Sequence, residues 1–439
     1  MKEIYLKLQC FLESRWHMLA VFVAAVLTTV FSAEHYAIPV FVLWMVFVIL
    51  VDENFTDILL PIVLLNAMAL RTVGQSTYHE KHLWLAIPVL IGIILHFIIF
   101  PRKITLGKSF YPLCAITVAL LLGGVGVISK EEYFNMSSLY YVIFLGIGMI
   151  AFYLWMRHGI RSTESYDIKE RILEILYIVG IFCAFTILEK TLRMYISYGE
   201  LRSFAWCNDI CEIMIFALPV PFFYVRRHFI HFFVPFLMYL ATMPAKSMTA
   251  VVVGAALLVL GVIYTFAVYK EKRRHVLVTT AAIVLAGVIA VMKFDLIPYD
   301  SISSFVDQEE NGRMWLFRRA WERFLEHPWL GVGIGAGNNG SSVFNGFWTH
   351  NYVLQILSSM GIVGALAFGY QLVVRGILIF KRPDAFHFIM ALSYAGIFLA
   401  SMLQPGEFCP MPYELLTVAL FAVLEYVNEG ENPRVSLEQ

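Results

Sequence analysis

Charged residues are scarce in this sequence, and neither sign is in excess. Of 439 residues, 15% are Asp, Glu, Lys or Arg, and 32 basic side chains balance 32 acidic ones. Soluble domains carry about a quarter charged residues, so the composition excludes an ordinary soluble enzyme and a disordered chain. Because the net charge is zero, nothing attracts a polyanion in bulk, and we expect no nucleic-acid partner.

Cysteine is scarce as well. Six cysteines occur, with no CxxC pair and no Cys/His spacing of the zinc-site kind. Cys207 and Cys211 are four residues apart on a predicted helix, a spacing more typical of packing than of a ligand pair. We therefore expect neither a disulfide framework nor a metal site.

Apolar residues are abundant instead. The chain is 60% hydrophobic and its mean hydropathy is +0.74. A membrane-crossing helix uses about 20 apolar residues. We predict an all-α polytopic membrane protein with about 12–14 transmembrane helices and one large extracytoplasmic loop containing an amphipathic helix.

Polar breaks divide the apolar sequence into fourteen candidate spans. Two of them, Ile58–Leu70 and Phe232–Met243, are short for a crossing, so we expect either to be tilted, broken or re-entrant, which makes twelve the alternative number. The other spans are Met18–Phe31, Tyr36–Val51, Leu83–Phe100, Phe110–Ile128, Leu139–Met156, Ile172–Leu188, Ile210–Phe223, Met248–Tyr269, Val276–Met292, Tyr352–Val374, Phe386–Met402 and Met411–Val427.

The distribution of basic residues predicts the orientation. If the N-terminus lies in the cytoplasm, the inner segments hold 20 of the 32 basic residues, as the positive-inside rule requires. Only the short inner loop Asp52–Asp57 is not basic. We therefore predict cytoplasmic termini and four regions: an N-terminal transmembrane bundle (1–292), an extracytoplasmic loop (293–349), C-terminal transmembrane helices (350–427) and a cytoplasmic tail (428–439).

A long loop in a compact membrane protein is usually functional, and this one has three parts. Gly312–Glu326 has the period of an amphipathic helix, ended by Pro328, which we expect to lie flat at the membrane surface. Gly331–Gly340 is glycine-rich and fits either a backbone approach to an anion or a flexible connector. The first part is acidic, with Asp295, Asp300, Asp307, Glu309 and Glu310.

Several polar residues lie at the predicted outer boundary. His350, where the loop enters the next span, fits a general base or a capping residue. Lys246, in a tight break between two spans, fits an anion-binding cation or a lysine that snorkels to headgroups. Asn208, Arg193 and Arg202 lie at the same predicted depth.

The order of these residues resembles the core of the bacterial O-antigen ligase and O-antigen polymerase family, whose members have an Arg, a Pro-x-x-Gly-x-Gly stretch and a His-Asn pair followed by Leu and Gly. Asn208 and the Lys246–Ser247 pair match the family's looser upstream pattern. The matching core residues are Gly312, Arg313, Trp315, Ala320, Trp321, His327, Pro328, Gly331, Gly333, His350, Asn351, Leu354 and Gly361.

The resemblance implies a glycosyltransferase C-type membrane fold in the bacterial inner membrane. It also implies a metal-independent, inverting transfer of a glycan from undecaprenyl diphosphate to an acceptor hydroxyl on the outer face, without a cofactor. The family's two outer basic groups and its His carry over to Lys246, Arg313 and His350. Lys246 departs from the usual Arg and offers a point charge instead of a bidentate fork.

The implied partners are the lipid-linked glycan, an acceptor glycan, membrane lipids and other polysaccharide assembly proteins. We expect Arg193, Arg202, Asn208 and Asn351 to help bind substrate. A polymerase is favoured over a ligase, because the family contains more capsule and exopolysaccharide polymerases than ligases. A lipid-linked glycan flippase is the rival of another class, but it predicts two similar halves and charges in the middle of several helices.

Overall fold

The computed structural model describes residues 2–72, 83–162, 166–199, 204, 206–294, 313–336, 349–404 and 406–430. These ranges contain helices and no β-strand. Such a chain satisfies its backbone hydrogen bonds within each segment, which is what a lipid environment demands of a spanning structure.

The α-helices follow one another with short connections. They are α1 (Lys2–Leu12), α2 (Arg15–Val30), α3 (Glu34–Val51), α4 (Leu59–Thr72), α5 (Ala86–Ile99), α6 (Phe110–Leu122), α7 (Lys130–Tyr133), α8 (Met136–Tyr140), α9 (Met149–Gly159), α10 (Ile168–Tyr198), α11 (Cys207–Ala217), α12 (Val220–Tyr224), α13 (Val234–Leu240), α14 (Thr242–Ala245), α15 (Met248–Val268), α16 (Arg273–Phe294), α17 (Arg313–Glu326), α18 (Tyr352–Ile379), α19 (Ala385–Ser401) and α20 (Leu415–Glu429).

Two stretches are π-helical, Tyr141–Gly148 and Pro410–Glu414. Short 3-10 turns are formed by Phe55–Ile58, Leu83–Leu85, Phe229–Phe232, Lys270–Lys272 and Gly406–Phe408. The predicted short span Phe232–Met243 is broken, because a 3-10 turn, α13 and α14 divide it.

Seven helices of the described chain are long and apolar enough to cross a membrane, and the pair Tyr5–Leu12 and Arg15–Val30, bent by 64°, makes an eighth. Four shorter apolar helices accompany them, at Ala86–Ile99, Phe110–Leu122, Phe229–Ala245 and Ala385–Ser401. The predicted all-α polytopic class is confirmed. The number of twelve to fourteen spans stays a prediction. The seven are Glu34–Val51, Ser138–Gly159, Ile168–Tyr198, Cys207–Tyr224, Met248–Val268, Tyr352–Ile379 and Pro410–Glu429.

The chain packs into two compact units. The first contains residues 1–175, 316–383 and 401–439, and the second contains residues 176–315 and 384–400. In the first unit, 89% of the residues in the most apolar 18-residue stretch of Pro410–Glu429 are buried, against 39% for Glu34–Val51. The helix α20 is therefore a core helix and α3 a peripheral one. The predicted division into bundle, loop, C-terminal helices and tail follows the membrane topology and stays a prediction.

The acidic loop between α3 and α4 pairs with basic residues of the first unit. Glu53 forms ion pairs with Arg102 and Arg161. Asp57 forms a buried ion pair with Arg171. The loop that lacks basic residues is therefore paired with basic residues of two other loops and of the start of α10, which supports the prediction that all of these segments lie on one side of the membrane.

Candidate functional site

The amphipathic helix predicted for the large loop is present. It begins at Arg313 and ends at Glu326, two residues before Pro328. Ala320 is fully buried, whereas Trp315, Trp321 and Leu325 are exposed. Exposed indoles and a leucine on a short charged helix are typical of a helix that lies at a membrane surface.

Asn351 caps the helix that follows the large loop. Its side-chain oxygen accepts a hydrogen bond from the backbone N–H of Leu354 at 2.9 Å, which satisfies one of the unpaired donors at the start of α18. Its side-chain nitrogen donates to the carbonyl oxygen of Met402 at 3.0 Å. The residue predicted to bind substrate thus fixes the start of α18 against the connection at Met402, in the same compact unit.

His350 precedes this cap in an unusual backbone conformation. Its φ of 50° lies in the left-handed region, which few residues other than glycine adopt. Its Nδ1 lies 3.2 Å from the side-chain oxygen of Gln404. The neighbouring Thr349 is fully buried, and its N–H donates to Gln355 Oε1 at 2.9 Å. Gln404 therefore contacts the imidazole itself, and Gln355 fixes the backbone just before it.

The segment that follows α17 is hydrogen-bonded into a break in α18. The break is at Gly361, whose φ of 61° and ψ of −152° are not helical. The N–H groups of Ile362 and Val363 donate to the carbonyls of Pro328 and Trp329 at 2.8 and 3.2 Å. Backbone groups that a broken helix would leave unpaired are thus satisfied by the loop.

The same break also accepts hydrogen bonds from the loop. The N–H groups of Val332 and Gly333 donate to the carbonyls of Ser358 and Ser359 at 2.8 and 2.9 Å. A Cβ on Gly331 would lie 2.4 Å from the carbonyl carbon of Ser359, so only glycine fits there. The described part of the glycine-rich run is therefore a packed, backbone-bonded segment and not a flexible connector, whereas an approach of its backbone to an anion stays a prediction. Residues 337–340 of the run lie outside the described residues.

Lys246 occupies the break between α14 and α15. Its φ of 55° is left-handed and its side chain is exposed. Within the described ranges, no carboxylate forms an ion pair with its ammonium group. Ser247 is buried and starts α15. The lysine thus presents its charge from a helix end.

The start of α11 lies beside this lysine turn. The thiol of Cys207 donates to the carbonyl oxygen of Ala245 at 3.3 Å, which brings the first turn of α11, including Asn208, next to the residue before Lys246. Trp206 precedes the helix with a φ of 66° and is 42% exposed. The structure therefore brings Asn208 to the region of Lys246.

The remaining predicted basic residues are placed differently. Arg193 lies on α10 and forms an ion pair with Glu189 of the same helix. Arg313 is the first residue of α17, and its side chain lies outside what the structure describes, as does all of Arg202. Lys246, Asn208, Arg193 and Arg313 belong to the second compact unit, and His350 and Asn351 to the first.

Sequence reasoning missed a buried charge cluster in the first unit. Arg375 of α18 donates to Glu407 at 2.9 Å and to Glu414 at 2.7 Å, and Gln371 donates to Glu414 at 3.0 Å. All four side chains are buried. The sequence does contain a signal for this cluster, because Arg375 and Glu414 are charged residues that interrupt otherwise apolar segments. Gln404, which contacts His350, was also missed, and it carries no local signal.

No group of three or more His, Cys, Asp or Glu that could hold a metal ion occurs among the described residues.

Comparison with protein families matches residues 232–369 to the family described as O-antigen ligase. The matched range contains Lys246, Arg313 and the His350–Asn351 pair, whereas Arg193, Arg202 and Asn208 precede it. This match confirms the family resemblance. No curated protein matches the chain.

Proposed function

We propose that this chain, which carries the O-antigen ligase domain at residues 232–369, transfers a glycan from undecaprenyl diphosphate to an acceptor hydroxyl. Transfer takes place on the outer face of the bacterial inner membrane, with inversion and without a metal ion. One observation carries the proposal: Lys246 and His350, both inside the domain, have left-handed backbones at the starts of two helices.

The left-handed backbones of Lys246 and His350 are strained, and this strain indicates a functional role. Of the described non-glycine residues, only Ser32, Trp206, Lys246 and His350 have a positive φ. Such a conformation costs a non-glycine residue about 1–2 kcal/mol, and glycine would remove the cost. Strained residues cluster at active sites because the strain aims a side chain. A lysine and a histidine at such positions are the side chains that this transfer needs.

Each residue has a part in the reaction. The acceptor O–H bond breaks as its proton passes to His350, and the acceptor oxygen forms a bond to the anomeric carbon of the donor. As that bond forms on one face of the carbon, the bond from the carbon to the phosphate oxygen breaks on the opposite face, which inverts the centre and releases undecaprenyl diphosphate. Lys246 and Arg313 stabilise the charge on the leaving diphosphate. Fixed cations of this kind contribute about 10²–10³-fold in rate, and a general base about 10²–10⁴-fold.

The other predicted residues support binding. Asn208, at the start of α11, lies next to the turn of Lys246, where its amide can meet the donor. Arg193 and Arg202 supply further positive charge at the outer surface, although Glu189 neutralises part of the charge of Arg193. Asn351 acts through His350, because its amide is bonded to Leu354 and Met402.

Within the family we favour a polysaccharide polymerase, which joins one lipid-linked repeat to another. The alternative is a ligase, which attaches the finished glycan to a lipid A core, a cell-wall polymer or a protein. A deletion strain separates the two by the lipid-linked glycans that accumulate. Single repeats on the lipid support a polymerase, whereas complete but unattached polymers support a ligase. If no lipid-linked glycan accumulates, the proposed function is wrong.

The buried cluster of Arg375, Glu407 and Glu414 is an observation that favours a flippase, because charges inside a helix bundle mark transport pathways. These charges pair with one another, which suits an internal anchor better than a moving substrate path. A strain carrying His350→Ala distinguishes the readings. A transferase variant leaves the glycan on its lipid at the outer face, whereas loss of a flippase leaves it at the inner face.

A further inference from the structure

Gln404 lies in the connection between α19 and the turn Gly406–Phe408, and its side chain is buried. Its carbonyl oxygen is 3.2 Å from Nδ1 of His350. An amide oxygen only accepts hydrogen bonds, so this contact requires that Nδ1 carries a proton. In a neutral imidazole, the lone pair is then on Nε2.

We infer that Gln404 is a positioning residue for His350. It holds the neutral ring in the tautomer with the proton on Nδ1, so that Nε2 takes the proton of the acceptor hydroxyl. The inference rests on the proposed function, in which His350 is the base. The second nitrogen of a catalytic or ligating histidine is commonly held in this way, and the partner decides which nitrogen reacts.

The connection that carries Gln404 is anchored on both sides of it. On one side, the side chain of Asn351 donates to the carbonyl oxygen of Met402 at 3.0 Å. On the other side, Glu407 receives a hydrogen bond from Arg375 at 2.9 Å, and its N–H donates to Ser401 Oγ at 3.0 Å. The connection therefore has little freedom to carry Gln404 away from the imidazole.

The anchor itself lies inside the helix bundle. The guanidinium of Arg375 also donates to Glu414 at 2.7 Å and lies 5.1 Å from the centre of the Phe421 ring. The side chains of Arg375, Glu407 and Glu414 are each no more than 3% exposed. Loss of one partner of a buried ion pair strongly destabilises the protein, because the other charge is left buried without compensation. The buried charges that sequence reasoning missed therefore have a structural role, because they fix the connection on which Gln404 lies.

Among the residues that the structure describes, the start of α18 and the connection contribute three ionisable groups near His350. The start of α18 contributes the phenol of Tyr352, and the connection contributes Glu407 and Cys409. Glu407 is bound to Arg375. A carboxylate in place of the Gln404 amide is therefore expected to act directly on the protonation of His350.

The tautomer is measured with protein labelled at its histidine nitrogens and held in lipid nanodiscs. The chain has 12 histidines, and the spectrum of a His350→Gln variant assigns the His350 signals by difference. We expect a protonated Nδ1 and an unprotonated Nε2 in the wild type, and a mixture of tautomers in Gln404→Leu. A proton on Nε2 in the wild type would overturn the inference.

Activity is measured in proteoliposomes, with the lipid-linked glycan extracted from the deletion strain as the donor. Gln404→Leu is expected to lower kcat about tenfold or more, within the range that general base catalysis contributes, with little change in KM. Gln404→Glu keeps the acceptor, so it should retain kcat at high pH. Its negative charge stabilises the imidazolium, so the acid limb of the pH profile should move up by about one pH unit.

Asn66→Leu is the matched control. Asn66 is a buried amide of the same unit that bonds the carbonyl oxygen of Ile62 on its own helix, so its loss should change neither the tautomer nor the pH profile. If His350→Ala is inactive but both Gln404 variants keep the wild-type pH profile, the inference is wrong and the proposed function stands. If His350→Ala is fully active, the proposed base is wrong as well.

Discussion

The backbone N–H of Ile362 donates a hydrogen bond to the carbonyl oxygen of Pro328 at 2.8 Å. This bond joins the break in α18 to the segment that follows the amphipathic helix α17. Gly361, at the break, faces the same segment: a Cβ there would lie 2.5 Å from the carbonyl oxygens of Pro328 and Trp329. The proline and the glycines of the family pattern thus pack together at the break in α18.

Gly361→Ala is expected to destabilise the protein by at least about 2 kcal/mol, because the backbone conformation is nearly restricted to glycine and the site has no room for a methyl group. Thermal unfolding in detergent measures this. Gly369→Ala, on the same helix with nothing within 4 Å of the added Cβ, should be neutral or gain up to about 1 kcal/mol. Equal melting temperatures for the two variants would contradict the packing described for the break.

How far the sequence predicts this structure depends on how local each interaction is. The amphipathic helix was predicted from Gly312 and begins at Arg313, because its periodicity and Pro328 are local signals. The break at Gly361 was not predicted, since Tyr352–Val374 is an uninterrupted apolar run. Its cause is a set of hydrogen bonds to residues about thirty positions upstream, which no periodicity reveals.

In the candidate site, too, the sequence predicts local features and misses contacts between distant residues. His350 and Lys246 stood out as polar residues at the ends of apolar runs, but their left-handed backbones did not. Gln404 is 54 positions from His350 in the sequence, so only the fold brings the two together. The acidic loop Asp52–Asp57 contradicted the simplest charge rule, and its pairing with Arg102, Arg161 and Arg171 supplies the physical reason.

Asp52 provides a prediction about pH. Burial raises the pKa of its carboxyl from 3.8 to about 8, although the N–H of Asn54 stabilises the charged form. Between about pH 4 and pH 8, the folded state keeps a proton on Asp52 that the unfolded state has lost. The free energy of unfolding is therefore expected to fall as the pH rises from about 4 to about 8, by up to about 1.4 kcal/mol per pH unit.

The variant Asp52→Asn removes this dependence, so it should raise the melting temperature clearly at pH 8 and much less at pH 5. Melting curves of both proteins at the two pH values test the sign. A gain of the same size at both pH values would show that Asp52 is charged in the folded protein.

The predicted orientation can be tested with single cysteines in a background in which the exposed Cys10 is replaced by Ser. Glu326→Cys, at the exposed end of α17, should react on intact cells with a thiol reagent that does not cross membranes. Lys103→Cys, in the exposed loop before α6, should react only after the cells are opened. The loop positions Ser303 and Ser341, which lie outside the described residues, should behave like Glu326. The reverse pattern would place the candidate site in the cytoplasm.

The left-handed backbone of Lys246 makes stability and activity separable. Lys246→Gly should keep or raise the melting temperature, because glycine adopts this conformation without strain, but it should lower activity by about 10²-fold or more. Lys246→Arg should retain much of the activity, since it keeps the charge. An active Lys246→Gly variant would reduce the lysine to a surface residue that snorkels to headgroups.

Lys246 and Arg313 are expected to act on the donor diphosphate together. Lys246→Met and Arg313→Met should each cost about 10²-fold in kcat/KM. The double variant should be little worse than either, because residues that act as a unit are not additive. Losses that multiply would assign the two cations to separate steps, and Arg202 and Arg193 would become the next candidates for the partner of Lys246.

Glycan transfer by the purified protein is the most direct test of the proposed function. Wild-type and His350→Gln proteins are reconstituted in metal-free proteoliposomes with the lipid-linked glycan extracted from a deletion strain, and the release of undecaprenyl diphosphate is followed together with the glycan product. We expect the wild-type protein to form both products in equal amounts, and His350→Gln, folded to the same extent, to be slower by about 10²-fold or more. Equal rates for the two proteins would contradict the role of His350 as the general base. No release of undecaprenyl diphosphate by the wild type would contradict the proposed glycan transfer.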